Sequence, residues 1–267
     1  EDQKDLDIKV EEKRTGQLMI GAGISSEEAI LGTLEVTQKN FDIANWPKFT
    51  GGGQRMRMRL QLGTERTEFL LSFVEPWWLD RWLWLEVNAF RSTRDQDEYL
   101  QETIGGDVTL TRQIWQRWRQ SFGLRLQEID LTDFDDGLSQ ELRDEEGNYI
   151  ATGLLYRMSR DTRDRFINPT SGSLLSLQAV VQPEFLGSYS NVYQLQAEGT
   201  KYIPIFDKPV VRFSGEIAVA DAVSDEDVAI FDRYFAGGTS TFRGFDRREV
   251  SPADINDDPL GGQSLLL

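Results

Sequence analysis

Polar and apolar side chains alternate along many stretches of this chain. Between residues 55 and 62, Arg or Gln occupies every second position and Met or Leu occupies the positions between them. Residues 33–37, 122–127 and 211–219 repeat the pattern, with one glycine interrupting the last apolar row. A period of two indicates β-strands, because successive side chains of a strand point to opposite faces of the sheet.

The alternating stretches and the breaks between them predict about eleven strands. Most of these strands have close to the ~9–11 residues that cross a bilayer when tilted. We therefore expect an all-β fold, a transmembrane antiparallel β-barrel, although a soluble β-sandwich would show the same alternation. The predicted strands are 17–25, 28–38, 54–63, 66–75, 82–91, 103–113, 118–129, 149–160, 172–182, 192–203 and 208–220.

The connections between the predicted strands differ on the two sides of the sheet. Those at 75–78, 168–172 and 206–209 carry turn-forming residues or clusters of rings and proline. Connections 130–148 and 221–260, on the opposite side, are long and acidic. An outer-membrane barrel has this asymmetry, with short periplasmic turns at one end and longer extracellular loops at the other.

Tryptophan supports a membrane setting for the predicted barrel. Six of the seven Trp residues lie near strand ends or turns on the side predicted to be periplasmic. Aromatic girdles of membrane barrels lie at this depth, whereas the core of a soluble protein would favour positions in the middle of strands. The predicted girdle consists of Trp77, Trp78, Trp82, Trp84, Trp115 and Trp118.

Composition excludes several classes of protein. Mean hydropathy is −0.45 and no stretch approaches the ~18 apolar residues of a membrane helix. Cysteine and histidine are absent, which removes thiol nucleophiles, disulfides, Cys/His zinc sites and histidine acid–base chemistry. We therefore predict that the protein is not an enzyme and has no catalytic residue, metal site or cofactor. The net charge of −16 argues against binding nucleic acid.

One segment resembles a known motif. Residues 234–245 read Tyr-Phe-Ala-Gly-Gly-Thr-Ser-Thr-Phe-Arg-Gly-Phe. They resemble the (V/I)RGF motif in the sixth extracellular loop of the BamA family of outer-membrane assembly factors, with Phe in place of the first Val or Ile. The resemblance implies that the loop folds into the barrel lumen and that its arginine meets acidic residues on barrel strands. The residues expected to anchor it are Arg243, Gly244, Phe245, Gly237 and Gly238.

The resemblance to the BamA family extends along nearly the whole chain. Residues 1–14 resemble the end of the last polypeptide-transport-associated (POTRA) domain and a linker, and residues 15–267 resemble a partial barrel with the long extracellular loop 221–260. The chain would then hold about eleven strands and the start of a twelfth, out of about sixteen that the resemblance implies. We expect the remaining strands and further POTRA domains elsewhere in a longer protein.

The resemblance also implies a function. Such a barrel folds β-barrel proteins and inserts them into the bacterial outer membrane through a lateral seam at its first strand, where an incoming strand pairs with the main chain. Its expected partners are unfolded outer-membrane proteins, outer-membrane lipid and accessory lipoproteins reached through upstream POTRA domains. Glycines in the first strand suit a seam that opens, although they could equally relieve crowding or bend the strand. The predicted seam is Gly16, Gln17, Leu18, Met19, Ile20, Gly21, Ala22, Gly23 and Ile24.

Two other functions remain open at this point. A two-partner-secretion or TamA-like translocation barrel shares the fold and the loop motif but exports its partner through the lumen. The number and type of upstream POTRA domains would distinguish it. A soluble acidic β-sandwich that binds a partner belongs to another class, and a requirement for detergent would exclude it.

Overall fold

A single antiparallel sheet makes up most of the molecule. The computed structural model describes residues 14–25, 29–206, 209–223, 227–239 and 241–267. Within these ranges twelve strands lie side by side, each hydrogen-bonded to the next one along the chain. The strands are β1 (Gly16–Ser25), β2 (Ala29–Phe41), β3 (Gln54–Gly63), β4 (Arg66–Glu75), β5 (Trp84–Asp95), β6 (Leu100–Trp115), β7 (Trp118–Thr132), β8 (Gly147–Asp161), β9 (Gly172–Gln182), β10 (Val192–Pro204), β11 (Val210–Ala222) and β12 (Ser264–Leu266).

The predicted all-β antiparallel fold is confirmed, and each predicted strand corresponds to an observed one. Strands β6, β7 and β8 are longer than predicted, at 16, 15 and 15 residues. Most of their extra residues lie toward the long loops, where the apolar positions change face: on β7, Ile129 and Leu131 are buried on the face opposite the exposed Leu124 and Leu126. Pairing continues there after the apolar row has changed face, so strands predicted from an apolar row on one face are too short.

The two faces of the sheet differ as the alternation predicts. On β9, Leu177 and Val181 point to one face and are 40% and 45% exposed, while Gln182 on the other face is buried. The buried face also carries Ala218 and Ala220 of β11. It is the inner face, because the long segment between β11 and β12 packs against it. The outer face is apolar and exposed, as a surface in contact with lipid would be.

The connections lie at two opposite ends of the sheet. At the end that we call the turn end, β6 and β7 are joined by two residues and β10 and β11 by residues 205–209. At the loop end, residues 133–146 contain the short helix α1 (Gln140–Arg143), and short 3-10 helices occur at Glu184–Leu186 and Ile230–Asp232. A further 3-10 helix, Trp78–Asp80, lies at the turn end. No helix in the described residues is long and apolar enough to cross a membrane.

The segment between β11 and β12, residues 223–263, is named here the inner loop. Its Ile230 is fully buried among Leu131, Leu142 and Tyr99 at the loop end of the sheet. Phe231 follows, and its ring lies 5.1 Å from that of Tyr149. The main buried cluster of the described residues therefore forms between the sheet and the inner loop, which is held by burial as well as by polar contacts.

Candidate functional site

The inner loop places a buried carboxylate, Asp232, against the inner face of the sheet. Gln194 of β10 donates a hydrogen bond to it at 2.8 Å, and Gln182 of β9 donates at 3.1 and 3.2 Å. The hydroxyl of Tyr189 donates a further bond at 2.8 Å. Three donors from the sheet and from the connection between β9 and β10 therefore hold one acceptor of the loop.

The next residue makes a second anchor. Arg233 pairs with Glu145 at 2.6 Å, and the two side chains are 13% and 12% exposed. The other oxygen of Glu145 accepts the backbone N–H of Ile230 at 3.1 Å. Arg233 also donates to the carbonyl oxygens of Val228 and Leu260, so it ties the two ends of the inner loop to each other.

A third anchor lies five residues after the motif arginine. Arg248 is 5% exposed, pairs with Glu98 at 2.6 Å and donates to the carbonyl oxygens of Gln96 and Pro259. Its guanidinium lies 5.5 Å from the ring centroid of Tyr99 and 4.1 Å from that of Phe235, which is cation–π range. The inner loop is thus tied to the β5–β6 hairpin by Arg248, to the β7–β8 connection by Arg233, and to β9 and β10 by Asp232.

Burial dominates the electrostatics of these anchors. It raises the pKa of Asp232 even though Tyr189, Gln182 and Gln194 donate to the carboxylate and oppose the shift. It also raises the pKa of Glu145 against the N–H of Ile230 and the charge of Arg233. The pKa of Glu98 is raised for the same reason, with Arg248 opposing. For each carboxyl, burial therefore raises the pKa by more than the hydrogen bonds and charges of its partners lower it.

Residues 242–245 of the predicted motif lie at an exposed part of the inner loop, whereas Gly237 and Gly238 are buried. The backbone of the motif closes on itself, because the N–H of Gly238 donates to the carbonyl of Phe245 at 3.1 Å. Gly237, at φ +120, adopts a backbone conformation that other residues rarely reach. Arg243 is exposed, and among the described residues no acidic group pairs with it. Its anchoring in a lumen therefore stays a prediction, as do the roles of Gly244 and Phe245.

The predicted seam forms β1, which pairs with β2 along one edge. Within the described residues no strand pairs with its other edge, which we call the open edge. The N–H of Lys39 donates to the carbonyl of Thr15, so odd-numbered residues of β1 bond to β2. Hydrogen-bonded and non-bonded pairs alternate in an antiparallel ladder. Even-numbered residues, such as Ile20, therefore direct their backbone N–H and C=O groups to the open edge.

The six predicted girdle tryptophans all lie at the turn end of the sheet. Trp77 and Trp82 stack with ring centroids 5.8 Å apart and are 57% and 65% exposed. The same end exposes large apolar side chains that the sequence analysis did not single out. These are Ile43 and Trp46 in the β2–β3 turn, Leu79 in the β4–β5 turn, Phe166 and Ile167 in the β8–β9 turn, and Phe206 in the β10–β11 turn. Contact with a membrane interface stays a prediction.

The structure brings together one acidic group that could hold a metal ion. Carboxylate oxygens of Glu65, Asp95 and Asp97 lie within 4.8 Å of one another at the loop end. Two of the three residues are exposed, and exposed acidic groups are common without an ion. Sequence reasoning had not grouped them, because they come from two different hairpins.

Comparisons with known proteins were made against this geometry. A family model described as the Omp85 superfamily domain matches residues 48–267. The outer membrane protein assembly factor BamA of Nitratidesulfovibrio vulgaris is 25% identical over 268 residues, which are 99% of this chain and 33% of that protein. A SAM50-like protein of Schizosaccharomyces pombe is 23% identical over 273 residues, covering 100% of this chain and 55% of that protein.

A solved structure agrees with the fold. The crystal structure of BamA from Haemophilus ducreyi lacking POTRA domains 1–3 matches with a TM-score of 0.83 and 22% sequence identity, over 96% of this chain and 52% of that chain. The chain therefore spans between a third and about half of the length of these relatives. At this identity the structural match shows the barrel fold and no more.

Proposed function

Because this chain belongs to the Omp85 superfamily, we propose that it acts in folding β-barrel proteins and inserting them into the bacterial outer membrane. Relatives from Nitratidesulfovibrio vulgaris and Neisseria meningitidis carry the name outer membrane protein assembly factor, and a human relative carries the name sorting and assembly machinery component. These are names of assembly factors and not of enzymes. The proposed partners are unfolded outer-membrane proteins, outer-membrane lipid and accessory lipoproteins.

One observation carries the proposed mechanism, namely the register of β1, whose even-numbered residues direct their backbone N–H and C=O groups away from β2. Backbone N–H and C=O groups cannot stay without partners in hydrocarbon, so such an edge in a membrane favours the addition of another strand. Main-chain pairing demands little of the incoming sequence, which suits a factor with many clients. The side chains of Leu18, Ile20 and Ile24 point outward and are more than half exposed, as a strand beside lipid would have them.

A cysteine scan of residues 17–24 in the full-length protein tests this mechanism. This part of the chain contains no cysteine, so each introduced thiol is the only one there. Across an antiparallel ladder, non-hydrogen-bonded pairs bring Cα atoms to about 4.5 Å, against ~5.5 Å for hydrogen-bonded pairs. Disulfides to a stalled client strand should therefore peak at Gln17, Met19, Gly21 and Gly23 and fall at the positions between them.

Inward-facing sites on β2, β3 and β7, which do not lie on the open edge, provide the matched control. Cysteine at Thr33, Arg57 or Arg125 should give little crosslinking if clients add to the open edge. Uniform crosslinking at these sites, without a period of two along β1, would favour export through the lumen by a two-partner-secretion or TamA-like barrel. A protein that is soluble and monomeric without detergent would instead favour the soluble acidic β-sandwich.

A further inference from the structure

The outer face of the sheet contains a hollow between β4 and β8. Ala89 of β5 and Gly106 of β6 stand opposite each other in the register and form its floor. Their small side chains leave a depression in a wall that otherwise carries large apolar groups. We name this depression the outer hollow.

Large apolar side chains surround the outer hollow. Phe69 of β4, Ile104 of β6, Leu126 of β7 and Ile150 of β8 form its walls, and its volume is about 780 Å³. Binding sites for small ligands commonly measure ~300–1,000 Å³ and are lined mainly by apolar groups. The wall residues are between 38% and 56% exposed, so no part of the described chain covers the hollow.

Polar groups border the outer hollow at one end only, toward the loop end. Arg91 of β5 pairs with Glu102 of β6 at 3.2 Å, and both side chains are well exposed on the outer face. Glu128 of β7 accepts a hydrogen bond from Asn148 of β8 at 2.7 Å. An apolar hollow with charges at one end fits an amphiphile whose chain lies along the wall and whose headgroup lies toward the loop end.

The charges at this border also select among headgroups. Arg91 stands with the carboxylates of Glu102 and Glu128, and Asp130 lies opposite Glu102 on the same face, so the border carries a net negative charge. A purely anionic headgroup would be attracted by Arg91 but repelled by Glu102 and Glu128. A headgroup that carries a phosphate and an ammonium group satisfies both signs, and such pairing is strengthened next to hydrocarbon, where the dielectric constant is low.

We propose that the outer hollow binds an acyl chain of a zwitterionic phospholipid, with the phosphate at Arg91 and the ammonium group at Glu102 and Glu128. In a bilayer the outer face of the barrel contacts lipid, and a void against it would forfeit dispersion contacts on one side. The chain that fills the hollow contacts more protein atoms than a chain on a flat part of the wall. This inference rests on the membrane setting of the barrel and not on the assembly activity.

Photocrosslinking in nanodiscs tests the proposal. The full-length protein is placed in nanodiscs that contain phosphatidylethanolamine or phosphatidylglycerol with the same diazirine-labelled acyl chain, and labelled peptides are identified by mass spectrometry. We expect labelling of the peptides that line the outer hollow to exceed labelling of the outer face of β9 and β10. We also expect phosphatidylethanolamine to label the hollow more strongly than phosphatidylglycerol.

Two substitutions distinguish lipid bound in the outer hollow from lipid in contact with the rest of the outer face. Ala89→Phe fills the hollow and should lower its labelling to the level of the flat wall. Ala179→Phe adds the same ring to the outer face of β9 and should leave labelling of the hollow unchanged. Equal labelling of hollow and flat wall in the unmodified protein, or equal effects of the two substitutions, would overturn the acyl-chain site.

A double substitution tests the headgroup. Removing both carboxylates by Glu102→Gln with Glu128→Gln should abolish the preference for phosphatidylethanolamine while acyl labelling of the hollow persists. An unchanged preference would overturn the headgroup assignment. Client insertion is measured on the same nanodiscs, so loss of the lipid site with normal insertion, or the reverse, shows which of the two proposals has failed.

Discussion

Replacing Arg248 by alanine should release the inner loop from the β5–β6 hairpin. The side chains of Arg248 and Glu98 are 6% and 12% exposed, and the guanidinium also donates to the carbonyl oxygens of Gln96 and Pro259. Truncation removes these contacts together with the ring contacts to Phe235 and Tyr99. It also leaves the carboxylate of Glu98 in a place from which water is largely excluded.

The magnitude follows from these contacts. Breaking a buried ion pair by removing one partner costs about 3–5 kcal/mol, because the remaining charge stays buried. Two effects favour the lower part of this range. Burial already raises the pKa of Glu98, so this carboxyl can take up a proton when its partner is lost. In addition, Nε of Arg248 is buried without a hydrogen-bond partner in the described residues. The contacts of the intact pair therefore do not fully offset the free-energy cost of burying it. A cost of about 3 kcal/mol raises the opening equilibrium of the loop roughly a hundredfold.

Limited proteolysis of the full-length protein in detergent measures this opening. When opening and closing are fast relative to cleavage, the cleavage rate within residues 223–263 is proportional to the open fraction. Arg247→Ala is the matched control, because Arg247 donates only to the Gln96 side chain and the Asp95 carbonyl at the edge of the same site. It should cost no more than about 1–2 kcal/mol. Equal cleavage rates for the two variants would refute the anchoring role of Arg248.

Three further outcomes are expected. Burial raises the folded pKa of Asp232 above its ordinary 3.8, so the contribution of this carboxyl to loop docking is fully present below that value and is lost as pH rises through the folded pKa. Protease protection of the inner loop should therefore increase as the pH falls toward 3.8; falling protection would contradict this. Gly237→Ala should destabilise the loop by about 1–3 kcal/mol, since φ is +120 and a Cβ would meet the Asp246 carbonyl, while Gly244→Ala, with open space around it, should cost less; thermal unfolding of both variants measures the difference. On β9, Leu177→Arg on the outer face should cost about 2–4 kcal/mol in a bilayer, whereas Ser176→Arg on the inner face should be tolerated; equal urea-unfolding midpoints in lipid would argue against the membrane-facing assignment.

The strands could be predicted from sequence because their signal is local. The alternation between residues 55 and 62 requires only that neighbouring side chains face opposite ways, and β3 indeed spans Gln54–Gly63. The prediction ended early where the apolar residues change from the outer to the inner face, as at the loop end of β7, which continues to Thr132 and buries Leu131. Pairing with a neighbouring strand stabilises these residues. The sequence of one strand alone does not show how far that pairing extends.

The anchors of the inner loop could not be predicted in this way. Arg248 pairs with a glutamate 150 positions earlier, and Arg233 pairs with one 88 positions earlier. Nothing in the local sequence distinguishes Glu98 or Glu145 from the many acidic residues of the loops. Two further Arg residues follow the recognised motif at positions 247 and 248, and a search for partners of every arginine in this segment would have included them.

The order of strands in the sheet has a consequence for how the molecule folds. Every strand pairs with its neighbour in the chain, so the contact order of the wall is low and it can grow hairpin by hairpin. The contacts of Arg233 and Arg248 instead close loops of 88 and 150 residues, and the entropy cost of loop closure rises with length. Docking of the inner loop can therefore be completed only after the hairpins that carry its partners have formed. Protection of the inner loop from protease would therefore appear in the final stage of folding. The time at which it appears would show when the strands of the sheet have all paired.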